Sequence, residues 1–148
     1  MSNPILHCIY SEEQTPNLAK HIYLFLKNEN VKLVFLRGQM GSGKTTFCQK
    51  FIGQFNQEIA IQSPTYAYMN EYFVNNHYIW HFDLYRIPNK SDISDLGIVD
   101  FIHRDDGMAI VEWPEVLGNL YDTYKIVTLH FHHIDNENKR VLILTTNY

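Results

Sequence analysis

Hydrophobic positions recur along this chain with two different periods, and the changes of period mark its elements. Leu18, Ile22, Phe25 and Leu26 follow the three- and four-residue spacing of a helix face. That helix has two possible starts, a Ser-x-x-Gln capping box at Ser11 to Gln14 and the pair Thr15-Pro16. A short apolar segment, Ile5 to Tyr10, precedes it. Leu33-Val34-Phe35-Leu36 is a continuous apolar run, the pattern of a strand buried on both faces. It leads directly into Gly38 to Gly43, after which a helix from about Lys44 to Phe55 is expected.

Further on, Ile59-Ala60-Ile61 reads as a short strand ending at Ser63-Pro64. Tyr66 to Val74 and Tyr78 to Tyr85 flank the turn signal Asn75-Asn76 and predict a β-hairpin. Asn89 to His103 supports one or two helical turns, and Met108-Ala109-Ile110-Val111 is a second buried-strand run, stopped by Glu112-Trp113-Pro114. Lys125 to His133 and Arg140 to Thr146 alternate around Asp135-Asn136-Glu137-Asn138, as an antiparallel hairpin does. The fold class is α/β with a mixed sheet.

Composition narrows the picture. The 148 residues, 45% of them hydrophobic and free of repeats or Pro/Gly/Ser linkers, suit a single domain over residues 1–148. Twelve Lys and Arg against sixteen Asp and Glu give a net charge of −4, so the overall field does not attract nucleic acid and any such contact is local. Cys8 and Cys48 match no zinc or redox spacing and read as small hydrophobes of a reducing compartment. Neither a signal sequence nor an apolar run of roughly 18 residues is visible, which points to a soluble, cytoplasmic chain without a membrane partner.

The clearest chemistry lies in Gly38-Gln39-Met40-Gly41-Ser42-Gly43-Lys44-Thr45, which satisfies G-x-x-x-x-G-K-S/T between a buried strand and a helix. Glycines permit positive φ, successive N–H groups form an anion nest, and the helix N-terminus adds roughly half a unit of positive charge. Lys44 is placed to reach β- and γ-phosphates, and Thr45 to hold Mg²⁺ through its hydroxyl. Against an ordinary Gly-rich turn stands the rarity of the coincidence, on the order of one chain of this length in a few hundred.

Ligands in open α/β sheets bind beyond the carboxyl ends of parallel strands, so an acid there is the natural metal partner of Thr45. Glu112 is favoured because its strand is uniformly apolar; Asp83, which follows a strand that reads as alternating, is a candidate to orient water or to pair with Arg86. Ser63-Pro64-Thr65-Tyr66 reads equally as a γ-phosphate-sensing loop or a plain turn. Trp113 belongs either to the nucleotide site or to the core rim. Asn89-Lys90-Ser91-Asp92 matches a guanine-reading pattern but lacks a preceding buried strand, and His130, His132 and His133 read as a solvated face of an edge hairpin. Tyr66, Tyr68 and Tyr72 share one strand face and, without a basic groove, read as packing.

These residues together carry a resemblance. The phosphate loop with Thr46, Ser63-Pro64-Thr65-Tyr66, His81-Phe82-Asp83-Leu84-Tyr85-Arg86 and Val111-Glu112-Trp113-Pro114 occur in the order found in the TsaE (YjeE) family, which the chain resembles over nearly its whole length. The family loop usually reads G-D-L-G-A-G-K-T-T; Gln39, Met40 and Ser42 depart from it at variable positions. The resemblance implies a three-layer P-loop NTPase fold with central parallel strands flanked by antiparallel ones. It also implies a weak Mg²⁺-dependent ATPase that works with TsaB and TsaD in threonylcarbamoyladenosine modification of tRNA and resets the complex between turnovers. TsaD would contact the tRNA, and DNA is not expected as a partner. Carried over, Gly38 to Thr46 and Trp113 hold ATP, Thr45 and Glu112 hold Mg²⁺, and Lys44, Asp83 and Thr65 serve hydrolysis; Lys139 and Arg140 are further basic candidates. A small-molecule kinase and a non-hydrolysing, nucleotide-dependent interaction module are the competing classes.

Overall fold

A computed structural model describes residues 4–55, 59–62, 64, 68–87, 90–135 and 137–148. Its elements begin where local chemistry dictates. Strand β1 (Pro4–Ser11) ends because the Ser11 N–H donates to Gln14 Oε1 at 2.8 Å, closing the expected capping box around a single 3-10 turn. Helix α1 (Thr15–Asn28) then starts at the second expected site, with Pro16 in its first turn, where a missing N–H costs nothing. Thr15, Ala19, Ile22 and Leu26 form its buried stripe, with Leu18 and Phe25 on the flanks.

The remaining strands are β2 (Leu33–Gly38), β3 (Met69–Val74), β4 (His77–Asp83), β5 (Gly107–Glu112), β6 (Ile126–His133) and β7 (Lys139–Thr146). They join α2 (Lys44–Gly53) and the short α3 (Ile98–Ile102) around a seven-stranded sheet of order β1-β7-β6-β2-β5-β4-β3. β6, β2, β5 and β4 run parallel, while β1, β7 and β3 pair antiparallel at the two margins. Alternation along each inner strand divides the core. Val34, Leu36, Ile79 and Ile110 pack beneath α1 and α2; Leu33, Phe35, Trp80, Phe82, Ala109 and Val111 pack beneath α3 and its flanking turns. The result is the expected three-layer arrangement.

Three expectations are corrected. Ile59-Ala60-Ile61 forms no strand; side chains of β3 satisfy the neighbouring backbone instead, Tyr72 Oη and Asn70 Nδ2 donating to the Gln62 carbonyl at 3.0 and 2.9 Å. β6 is not an edge, since β2 and β7 flank it; His130 is half-buried and meets Thr145 Oγ1 at 3.2 Å, while His132 and His133 are solvated as expected. β4 is not a half-exposed alternating strand. Ile79, Trp80, His81 and Phe82 are all buried in parallel register with β5, and the polar member is accommodated by a hydrogen bond. Ser63, Thr65, Tyr66 and Asn89 lie outside the described residues. No helix among the described residues is long and apolar enough to cross a membrane.

The β4–β5 register depends on a close approach at its start. A Cβ on Gly107 would lie 2.5 Å from the Tyr78 carbonyl oxygen and 2.6 Å from the Trp80 ring. Gly107→Ala is therefore expected to destabilise the fold by about 1–3 kcal/mol, the range for overpacking. Urea titration checks this as a lowered midpoint at unchanged slope.

Candidate functional site

The loop between β2 and α2 takes the shape its glycines permit. Gly38 has φ +149°, and a Cβ there would lie 2.5 Å from the Phe131 carbonyl oxygen, so a side chain would push β6 away. Gly43 has φ +104° and caps α2, and a Cβ would meet the Arg140 side chain at 3.1 Å. Ser42 is buried under the loop, its N–H donating to the Gln39 carbonyl at 3.1 Å while its Oγ finds no partner. Lys44 folds back over the loop. Its Nζ donates to the Gly38 and Gln39 carbonyls at 2.5 and 2.9 Å and lies 4.1 Å from the Trp113 ring centroid. Burial holds the Lys44 pKa below that of an ordinary lysine, against the raising pull of Glu112, Glu115 and Asp83.

The two acids arrive from neighbouring strands. Asp83 and Glu112 are direct register partners at the carboxyl ends of β4 and β5, beside the loop that follows β2. Glu112 is 2% exposed, and His81 Nε2 lies 2.8 Å from its Oε1. Cys48, one helical turn beyond Lys44 on α2, has its Sγ within 4.8 Å of the Glu112 carboxylate; burial, then the two carboxylates, push its thiol well above the usual range. Asp83 is half-buried and accepts the Tyr85 N–H at 3.0 Å. Its pKa is raised mainly by burial, with Glu112 adding to the rise and the Tyr85 bond opposing it.

These groups open on one cavity of about 490 Å³. Met40, Gly41, Gly43, Lys44, Thr45, Thr46, Asp83, Glu112 and Trp113, all expected from sequence, line it. Gly38 and Gln39 instead border an adjoining groove with Trp113, and Ser42 lies beneath. Thr65 lies outside the described residues. Arg140 reaches the cavity from β7, its Nη2 paired with Glu12 at 3.2 Å and its Nε buried without a partner. Lys139 pairs instead with Glu137 at 3.1 Å. Sequence reading passed over His81 and Cys48. The signals were present: His81 precedes Asp83 by the two residues of a strand face, and Cys48 follows Lys44 by the four of a helix face.

The donor set fits a phosphate chain with a hard cation. The loop's positive-φ glycines Gly38, Gly41 and Gly43 give it its curved shape, and an ammonium rests on its carbonyls. Thr45, Asp83 and Glu112 offer the oxygen ligands that Mg²⁺ prefers.

Comparison with known proteins agrees with this geometry. The sequence profile described as "Threonylcarbamoyl adenosine biosynthesis protein TsaE" matches residues 9–142. The chain is 33% identical to the tRNA threonylcarbamoyladenosine biosynthesis protein TsaE of Rickettsia conorii, over 97% of this chain and 79% of that protein. It is 37% identical to the TsaE of Aquifex aeolicus over 71% and 73% of the two chains. The crystal structure of Bacillus subtilis YdiB shares the fold, with a TM-score of 0.72 at 20% identity over 100% of this chain and 88% of that one. The chain belongs to the TsaE family of tRNA threonylcarbamoyladenosine biosynthesis.

Proposed function

We propose that this chain binds ATP with Mg²⁺ and hydrolyses it slowly, as the cytoplasmic nucleotide-dependent subunit of the tRNA threonylcarbamoyladenosine machinery. The observation that carries this reading is the convergence of Lys44, Thr45, Asp83 and Glu112 on one cavity at the carboxyl ends of β2, β4 and β5. In it, the loop N–H groups and the start of α2 take the β- and γ-phosphates. Lys44 exchanges two loop carbonyls for phosphate oxygens and leaves the Trp113 ring as it does so. Thr45 and Glu112 would hold Mg²⁺, which when bound neutralises charge on the β- and γ-oxygens. Asp83, half-buried at the cavity, orients water, and Thr65 belongs to the loop that senses the γ-phosphate. Arg140 adds a cation beside Gly43 with a free Nε–H. The partners are TsaB and TsaD, and the net charge of −4 suits a subunit that leaves tRNA contact mainly to TsaD. Hydrolysis resets that complex between turnovers.

Phosphate release from Mg-ATP is expected from the purified chain, to rise with TsaB and TsaD present, and to fall by about 10²-fold or more in Lys44→Ala and Glu112→Gln, as when a fixed charge-stabilising group is lost. Unchanged release without Lys44 would contradict the site, and phosphate transfer only to an added acceptor would indicate a kinase. Nucleotide-dependent partner binding with no release at all would indicate an interaction module.

Displacement of Lys44 has its own signature. The chain has two tryptophans, and Trp80 is fully buried away from the loop. ATP is expected to change the tryptophan emission of the wild-type chain and to leave that of Trp113→Phe unaltered.

A further inference from the structure

His81 lies two residues before Asp83 on β4, opposite Ile110 and on the sheet face that looks toward α2. Two of its neighbours on that face, Ile79 and Ile110, are apolar and fully buried, while Asp83 and Asn70, the β3 register partner of His81, are polar. His81 is buried to the same degree, yet only one ring nitrogen has a protein partner: Nε2 meets Glu112 Oε1 at 2.8 Å, while Nδ1 is enclosed with none. A leucine would fill such a position without stranding a nitrogen, so packing alone does not account for the imidazole. Its one bond goes to the carboxylate that lines the cavity.

Cys48 Sγ, on α2, the helix that begins with Lys44 and Thr45, lies within 4.8 Å of the same carboxylate. Glu112 is thus bonded from a strand on one side and flanked by the phosphate-loop helix on the other. Cys48, His81 and Glu112 have ligand atoms within 4.8 Å of one another, but the His81–Glu112 pair already sits at direct hydrogen-bond distance. The cluster therefore works as a brace for Glu112.

We propose that His81 is a positioning residue that holds the Glu112 carboxylate in the orientation from which it serves the divalent cation. This deepens the proposed function and rests on its reading of Glu112. Groups that orient a metal ligand typically change metal affinity by 10–100-fold when removed. Cys48 lies beside Glu112 on α2, but a thiol is a weak donor and does not replace the imidazole.

The test is equilibrium binding of a fluorescent ATP analogue to the full chain, titrated with Mg²⁺ and repeated in EDTA, for wild type, Glu112→Gln, His81→Leu and His81→Gln. Thermal unfolding without nucleotide is measured beside it. His81→Leu is expected to raise the Mg²⁺ concentration for half-saturation by about 10–100-fold with Mg²⁺-free affinity within about twofold of wild type. His81→Gln, whose amide N–H is able to reach Glu112, is expected to recover most of that loss. Should the leucine variant not fold, His81→Asn, too short to reach, takes its place with the same expected rise. An unchanged half-saturation in His81→Leu, or an equal loss in His81→Gln, overturns the proposal while a Mg²⁺ response that disappears in Glu112→Gln leaves the function standing. A wild-type response identical to that of Glu112→Gln overturns the metal role of Glu112, and this inference with it.

Discussion

Parallel pairing of β2, β5 and β4 levels the carboxyl ends of these strands, and everything at the site depends on that alignment. Leu36 pairs with Glu112 and Glu112 with Asp83, so the phosphate loop and both acids leave the sheet at one height. The ladder even continues past β4, where the Leu84 N–H donates to the Glu112 carbonyl at 3.1 Å. A one-residue slip of β4 or of β5 would turn that strand's carboxylate to the opposite face, away from α2. Close contacts mark the neighbouring registers: Gly107 against Tyr78 and Trp80 between β5 and β4, and Gly38 against Phe131 between β2 and β6.

A second constraint is the cost of burying polar groups. Lys44, His81 and Glu112 are among the few buried polar or charged side chains, and each is accommodated by a specific partner rather than by solvent. Lys44 illustrates the economy best. Its ammonium satisfies two loop carbonyls and rests on the Trp113 ring. Trp113 reaches that position because its backbone adopts φ +57°, a strained value for a bulky residue, just before Pro114.

The antiparallel margins serve the same centre. β7 delivers Arg140 to Gly43, and the short 3-10 turn after β1 supplies Glu12 to steady the guanidinium. The N-terminal segment, remote from the motif in sequence, thereby pairs with a side chain that lines the cavity.

Local pattern alone determined the inner strands, the first two helices, both hairpins and the phosphate loop, because continuous apolar runs, capping residues and glycine spacing act within a few residues. It also placed Glu112 at a strand end, since Val111 is apolar and Trp113-Pro114 cannot continue the ladder. Where it failed, the deciding partner was distant. Ile59 to Ile61 carry strand-forming residues, yet Gln62 is satisfied by side chains of β3, and no ladder forms. His130 looked solvated because the placement of β6 beside β2 is a long-range pairing. His81 looked like the polar half of an alternation, because only the fold brings Glu112, thirty-one residues away, to 2.8 Å. The sequence thus determined which chemistry the chain carries, and the tertiary structure decided which groups hold it in place, since burial and cross-strand register are properties of the whole sheet.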